Sequence, residues 1–132
     1  MIRIVAGIVG ILLIILLYMS GTFSDRHDGG NIPSGNAMNQ IQERPGIIID
    51  VRTPEEYAQG HLTRTDQLIN FMDDDFEDRA GELDRNQTYY LYCRSGNRSG
   101  QAMKWMQENG FEEVYNIGGY QDLVDAGFES ER

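Results

Sequence analysis

Thr88-Tyr89-Tyr90-Leu91-Tyr92-Cys93-Arg94-Ser95-Gly96-Asn97-Arg98-Ser99-Gly100 is the stretch on which the reading of this chain turns. Thr88–Tyr92 is aromatic, β-branched and aliphatic, the composition of a strand. The small and polar residues after Cys93 form a turn, and Gln101–Asn109 reads as a helix with Gly110 suited to its C-terminal cap. Strand, loop and helix in that order are half of an α/β unit. Cys93 stands at the carboxyl end of the strand, where open α/β sheets bind their ligands.

The same alternation continues on both sides. Upstream, Gly46-Ile47-Ile48-Ile49-Asp50-Val51 is a short β-branched run of the kind buried on both faces of a parallel sheet. Thr53-Pro54-Glu55-Glu56 then starts a helix: Thr53 caps, Pro54 takes the first helical position, and Glu56 completes a capping box. Gly60 is placed to end it. Leu68–Phe71 is a short strand candidate, and Asp73-Asp74-Asp75-Phe76-Glu77 opens another helix with its acids near the positive end of the dipole. That acidic run reads as a solvated helix start rather than a metal site. Downstream come a strand at Glu113–Asn116, a turn at Gly118-Gly119 and a last helix at Tyr120–Ala126. Strands alternating with helices predict an α/β domain with a mainly parallel sheet.

The first two dozen residues are of another kind. No charged side chain occurs from Ile4 to Ser24, and 21 such residues in a helix span ~31 Å, close to the hydrocarbon thickness of a bilayer. Residues 4–24 therefore read as a transmembrane helix holding the chain to a membrane, with a cleaved signal peptide as the alternative. Arg3 suits either, but Tyr18–Phe23 offers a poor cleavage site. The basic start and the mixed charges after the span place the domain on the periplasmic or extracytoplasmic side; cleavage would leave it soluble in the periplasm. Residues 25–39, rich in Gly, Asn, Ser and Asp, read as a flexible linker, with a short helix around Asn36–Gln42. The expected organisation is thus 1–24 anchor or signal, 25–39 linker and 40–132 domain.

Arg3 is the only charge before Asp25, so residues 25–132 hold 10 basic and 21 acidic side chains. Such a field repels nucleic acid and anionic lipid. Lys104 is the only lysine, so arginines that cluster need a local reason. Cys93 is the one cysteine, which rules out an intrachain disulfide, a dithiol redox pair and a structural zinc site built on cysteines. A lone thiol is either an inert buried residue or a reactive one. Here it sits in a Gly-containing loop that leads into a helix N-terminus, where converging amides and the helix dipole favour a thiolate. Arg94 and Arg98 flank the same loop. Together these describe a nucleophilic cysteine in an anion cradle.

The run Cys93–Gly100 resembles the active-site loop of rhodanese domains, Cys-x-x-Gly-x-Arg. Ile49-Asp50-Val51-Arg52-Thr53-Pro54-Glu55-Glu56-Tyr57 with Gly60-His61-Leu62 resembles the family's Asp-Val-Arg strand end and Gly-His-Ile turn. Asn116-Ile117-Gly118-Gly119 is similar to its Gly-Gly turn before the last helix. These motifs cover about Pro45–Phe128 in the family's order, and the nearest likeness is to small exported single-domain rhodaneses of the phage-shock type. The resemblance implies a five-stranded α/β rhodanese fold flanked by helices. It also implies Cys93 as the carrier of a persulfide, with Arg94, Ser95, Gly96, Asn97, Arg98 and Ser99 as the substrate cradle. Asp50 would support the loop, with Arg52 close by, and Tyr57 and His61 would pack. The implied reaction moves sulfane sulfur from thiosulfate or a similar small anionic donor to a thiol or cyanide, with no metal or organic cofactor. Thr63-Arg64-Thr65 replaces the family's Pro-Gly-Ala, and Leu123 stands where a Trp is common in the last helix. Two other readings stay open. One is a persulfide carrier or protein-binding module at the membrane. The other is the phosphatase or arsenate reductase chemistry of the same fold, whose loop has five residues between Cys and Arg rather than the four here.

Overall fold

At the centre of the computed structural model, which describes residues 29–132, the strand read from Thr88–Tyr92 runs to Cys93 with every residue buried. In chain order the elements are β1 (Gly30–Asn31), α1 (Ser34–Glu43), β2 (Ile47–Asp50), α2 (Pro54–Gln59), β3 (His61–Leu62) and β4 (Gln67–Leu68). They continue with α3 (Phe76–Gly81), β5 (Thr88–Cys93), α4 (Asn97–Glu108), β6 (Glu113–Gly119), α5 (Tyr120–Asp125) and β7 (Ser130–Glu131). Five strands form one sheet in the order β1-β6-β5-β2-β4, with every neighbouring pair parallel. A separate antiparallel pair joins β3 to β7. The residue range expected to span a membrane lies outside the described residues, and no helix among the described ones is long and apolar enough to cross a bilayer.

The sheet is covered on both faces, as a parallel sheet requires. On one face Ile49, Leu91, Cys93 and Val114 pack against Phe76 and Ala80 of α3 and Ala102, Met103 and Met106 of α4. On the other, Ile48, Tyr90, Tyr92, Tyr115 and Ile117 pack against Ala37 and Ile41 of α1 and Leu123 of α5. Each fully buried Ile or Leu here contributes about 1.5–3 kcal/mol. The three tyrosines of β5 bury their rings and still satisfy their hydroxyls. Tyr89 and Tyr90 donate to the carbonyls of Asp84 and Arg44, at 2.6 and 2.5 Å. The Tyr92 hydroxyl accepts from the Leu62 amide and pairs with the Thr65 hydroxyl at 2.7 Å. The departure at Thr63-Arg64-Thr65 therefore supplies an anchor for the central strand.

Thr53 and Glu56 form the expected capping box at the start of α2. Elsewhere the boundaries differ. Residues 30–35, read as linker, are β1 and the start of α1, and the short helix expected around Asn36–Gln42 is present as part of Ser34–Glu43. Ala37 and Ile41 lie one turn apart and are both buried, so packing makes a helix of a Gly- and Asn-rich segment. The strand expected at Leu68–Phe71 is instead Gln67–Leu68, and β6 runs three residues past Asn116. That last strand carries an irregularity: Leu91 faces Asn116 but Tyr92 faces Gly118, which brings Gly119 opposite Cys93. Bulges of this kind re-aim side chains beside functional sites.

Candidate active site

The carboxyl end of β5 delivers Cys93 into a turn closed by Gly96, whose φ of +93° is a left-handed conformation that costs a glycine nothing. That turn aims the Gly96 amide at the Cys93 sulfur, with N···Sγ 3.0 Å. The Ser99 hydroxyl lies 3.3 Å from the same sulfur. Gly96 is also the N-cap of α4, so Sγ sits at the N-terminus of a 12-residue helix. The sequence placed the helix start at Gln101. It begins at Asn97, and the polar first turn carries no apolar signal of a helix because its one buried side chain, Ser99, faces the sulfur.

Burial pushes the Cys93 thiol up. The Ser99 hydroxyl and the amides of Ser99, Ser95 and Gly96 outweigh it, and the thiol lies below its ordinary value. The thiol is fully buried (0% exposed), under a loop whose Arg94, Ser95 and Asn97 are exposed. The loop in turn rests on the Gly-Gly turn of β6. A Cβ at Gly119 would lie 2.6 Å from the Arg94 carbonyl oxygen, so only glycine lets the loop approach this closely.

The two arginines of the loop do different things. Among the described residues the Arg94 side chain has no hydrogen-bond or ion-pair partner, and it lines an open cleft of about 470 Å³ with Arg52, Glu56, Gln59, Gly60, Tyr120 and Gln121. Arg98, expected in the cradle, grips Glu56 of α2 through two bonds of 2.7 and 2.9 Å, while its charge still interacts with Cys93. Its role here is to clamp α4 to α2. Asn97 accepts from the Gln101 side chain at 3.0 Å, away from the sulfur.

The Asp50 carboxylate is likewise correctly placed near the site but differently employed. It accepts no bond from the Cys93 loop. It accepts from Arg52 Nε at 3.0 Å and Nη2 at 2.7 Å, with both groups almost fully buried. Arg52 also donates to the Gly60 carbonyl at 2.7 Å and lies over the rings of Tyr120 and Tyr92. Asp50 thus reaches the site through Arg52, which forms one wall of the cleft. His61 stacks on Tyr57 with ring centroids 3.7 Å apart and its Nδ1 3.1 Å from the Tyr57 carbonyl oxygen, a packing role in keeping with its place in the turn.

Glu56 and Asn116 are the site residues that sequence reasoning missed. Glu56 had been given only its capping role. Arg98 holds its carboxyl far below the usual range, at about 2, against the opposing effect of burial and with help from the Thr53 amide. A depressed carboxyl stabilises the fold above its unfolded pKa of ~4.3 and loses that contribution as pH falls towards 2. The pair is partly exposed, so the contribution is about 1–2 kcal/mol after screening. Urea unfolding of Glu56→Gln should therefore show that deficit at pH 6, shrinking as the pH is lowered below about 4 and vanishing only below about 2. A deficit unchanged across that range would mean the ion pair contributes nothing.

Comparison with known proteins agrees with this geometry. The family model for the rhodanese-like domain matches residues 35–126. The thiosulfate sulfurtransferase PspE of Escherichia coli (strain K12) is 38% identical over 78 residues, covering 58% of this chain and 72% of PspE. The thiosulfate sulfurtransferase GlpE of Ectopseudomonas mendocina (strain ymp) is 30% identical over 98 residues, covering 74% and 87%. The crystal structure of a rhodanese-like domain protein from Staphylococcus aureus superposes with a TM-score of 0.62 at 30% identity, over 76% of this chain and 96% of that one. A family model matched over well more than half of the chain, on a fold that solved relatives share nearly end to end, shows that the chain belongs to the rhodanese-like domain family of sulfurtransferases.

Proposed function

We propose that the protein is a thiosulfate sulfurtransferase that carries sulfane sulfur as a persulfide on Cys93. In the first half-reaction the Cys93 thiolate attacks the outer sulfur of thiosulfate. A Cys93 Sγ–S bond forms, the S–S bond of thiosulfate breaks, and sulfite leaves with the bonding electron pair. In the second, cyanide or a thiolate attacks the outer persulfide sulfur, the new S–S bond breaks, and the Cys93 thiolate is regenerated. Charge balances in both steps, and no metal or organic cofactor takes part.

The observation that carries this reading is the convergence of donors on Sγ: the Gly96 amide, the Ser99 hydroxyl and the first turn of α4. These groups favour the thiolate before attack, and the loop amides hold the outer persulfide sulfur after it. Arg94, the loop cation that has no ion pair among the described residues and lines the cleft, draws a dianionic donor to it. PspE and GlpE, both named thiosulfate sulfurtransferases, support the choice of donor. Residues 4–24 would tether the protein to the membrane with this domain on the extracytoplasmic side.

Intact mass spectrometry under non-reducing conditions tests the first half-reaction. Brief treatment with thiosulfate should add the mass of one sulfur atom to the protein, and subsequent cyanide should remove it. A protein whose mass does not change under thiosulfate would refute the persulfide.

A further inference from the structure

Ser99 Oγ has one proton and two acceptors. It lies 2.7 Å from Asn116 Oδ1 and 3.3 Å from Cys93 Sγ. The orientation of the Asn116 amide is not free. Its Oδ1 accepts from the Gly118 backbone amide at 3.1 Å, and its Nδ2 donates to the Gly96 carbonyl at 3.0 Å. A backbone N–H can only donate and a backbone C=O can only accept, so backbone groups on both sides fix which atom is oxygen. Nδ2 also donates to Asn31 Oδ1 at 3.0 Å. Asn31 belongs to β1, which lies before the span of the family match and whose pairing with β6 puts Asn31 beside Asn116.

Oxygen therefore always faces the Ser99 hydroxyl. While the sulfur is a thiol, S–H can donate to Ser99 Oγ, and the Ser99 proton goes to Asn116. When the sulfur is an anion, that proton is wanted on Sγ, and Asn116 competes for it. We propose that Asn116 is a positioning residue that makes the Ser99 hydroxyl a two-position donor, turned to Asn116 when Cys93 Sγ is neutral and to Sγ when it is anionic. In the sulfur-transfer cycle proposed above, on which this rests for its meaning, the charge moves from Sγ to the outer sulfur and back. The hydroxyl donates to Sγ while the charge is there and to Asn116 Oδ1 while the charge is on the outer sulfur, its proton staying on Ser99 throughout. The exchange is a rotation about one bond and needs no change in the backbone.

The other charged or titratable groups around the loop are Asp50, Arg52, Glu56, Arg94, Arg98 and Tyr120. Asp50 is paired with Arg52 and Glu56 with Arg98, so neither carboxylate is an uncompensated charge beside the sulfur. None of these groups bonds to Ser99 or Asn116. The Ser99 branch can thus be isolated from them by a double-mutant cycle.

Cys93 is the only cysteine, so the rate of alkylation of the full chain by iodoacetamide reports on this thiol alone. Its pH dependence gives the thiolate titration whether or not the protein transfers sulfur. Failure of the sulfurtransferase reading and failure of this one are therefore separate results. Ser99→Ala should move the titration to higher pH. Asn116→Ala removes the competitor and should move it to lower pH, raising the alkylation rate below the midpoint roughly three- to tenfold, the worth of one hydrogen bond. In the Ser99→Ala background the same Asn116→Ala change should have no such effect. A merely structural Asn116 would loosen the Gly96 turn and move the titration upward in both backgrounds, which would overturn the proposal. Should Asn116→Ala fail to fold, Asn116→Ser keeps a polar side chain in β6 but is too short to keep an oxygen against the Ser99 hydroxyl. Its downward shift should then appear only with Ser99 present, and an upward shift, or one equal in both backgrounds, would overturn the proposal.

Discussion

Replacing Cys93 with alanine should lower thiosulfate:cyanide sulfurtransfer by at least about a thousandfold and abolish the sulfur adduct on the protein. The size of the effect follows from the covalent route: without a nucleophile the enzyme can only bring two anions together, and the binding groups alone do not overcome their repulsion. The substitution itself is gentle. Cys93 behaves as a small buried residue at the end of β5, so alanine loses one sulfur atom's packing and the acceptor of the Gly96 amide, and leaves the Asn116 bonds to Ser99 and the Gly96 carbonyl in place. The variant should unfold within about 1–2 kcal/mol of the parent. Cys93→Ser is the more searching control, since it keeps a hydrogen-bonding atom in the cradle but offers an alkoxide that the cradle cannot generate at neutral pH. It should be as inactive as alanine. Residual turnover in either variant at a tenth of the parent rate would remove the persulfide from the mechanism, whatever the family likeness.

The β5–loop–α4 unit was legible in the sequence because its signals are local. Thr88–Tyr92 is apolar enough to be buried throughout, Cys93 closes the strand, and Gly96 follows where the loop adopts a positive φ. The capping box of Thr53 and Glu56 is equally local and is present as read. What the sequence could not show is how those pieces meet. Arg98 is separated from Glu56 by 42 residues, and a basic residue beside a cysteine reads as part of an anion site until its acidic partner is seen. Ser99 and Asn116 are 17 residues apart. They meet only because α4 returns over the sheet and the irregularity in β6 shifts the register after Asn116. Asn31 is 85 residues from Asn116 and lies in a segment whose composition signals a linker. Its order comes from backbone pairing with β6 and from the Ile32 amide donating to the Asn116 carbonyl at 2.8 Å, neither of which leaves a mark in composition.

This division has a functional consequence. The groups that touch sulfur are set by the loop's own sequence, whereas the groups that hold the loop come from three other elements, Glu56 of α2, Asn31 of β1, and Asn116 and Gly119 of β6, while Arg52, paired with Asp50 at the end of β2, walls the cleft. A substitution far from Cys93 in sequence can therefore disable the cradle without touching the thiol.

Asp50→Ala is where that dependence should be strongest. It should destabilise the domain by about 3–5 kcal/mol, because it leaves the Arg52 guanidinium in a largely buried setting without its counter-charge. Arg52 is 4% exposed, and the pull of Asp50 raises its pKa against the opposing effect of burial. A guanidinium does not escape by losing a proton, so the charge stays where it is. Its bond to the Gly60 carbonyl and its position over Tyr120 and Tyr92 hold it in place but supply no net negative charge. The double variant Asp50→Ala/Arg52→Met removes both charges and keeps an unbranched side chain against the tyrosines, so it should recover most of the lost stability. Urea unfolding of the three proteins reads this directly. An Asp50→Ala deficit below about 1 kcal/mol would mean that Arg52 swings into the adjoining cleft and regains water. In that case the wall of the cleft would be mobile, and Asp50 would cease to be a support of the site.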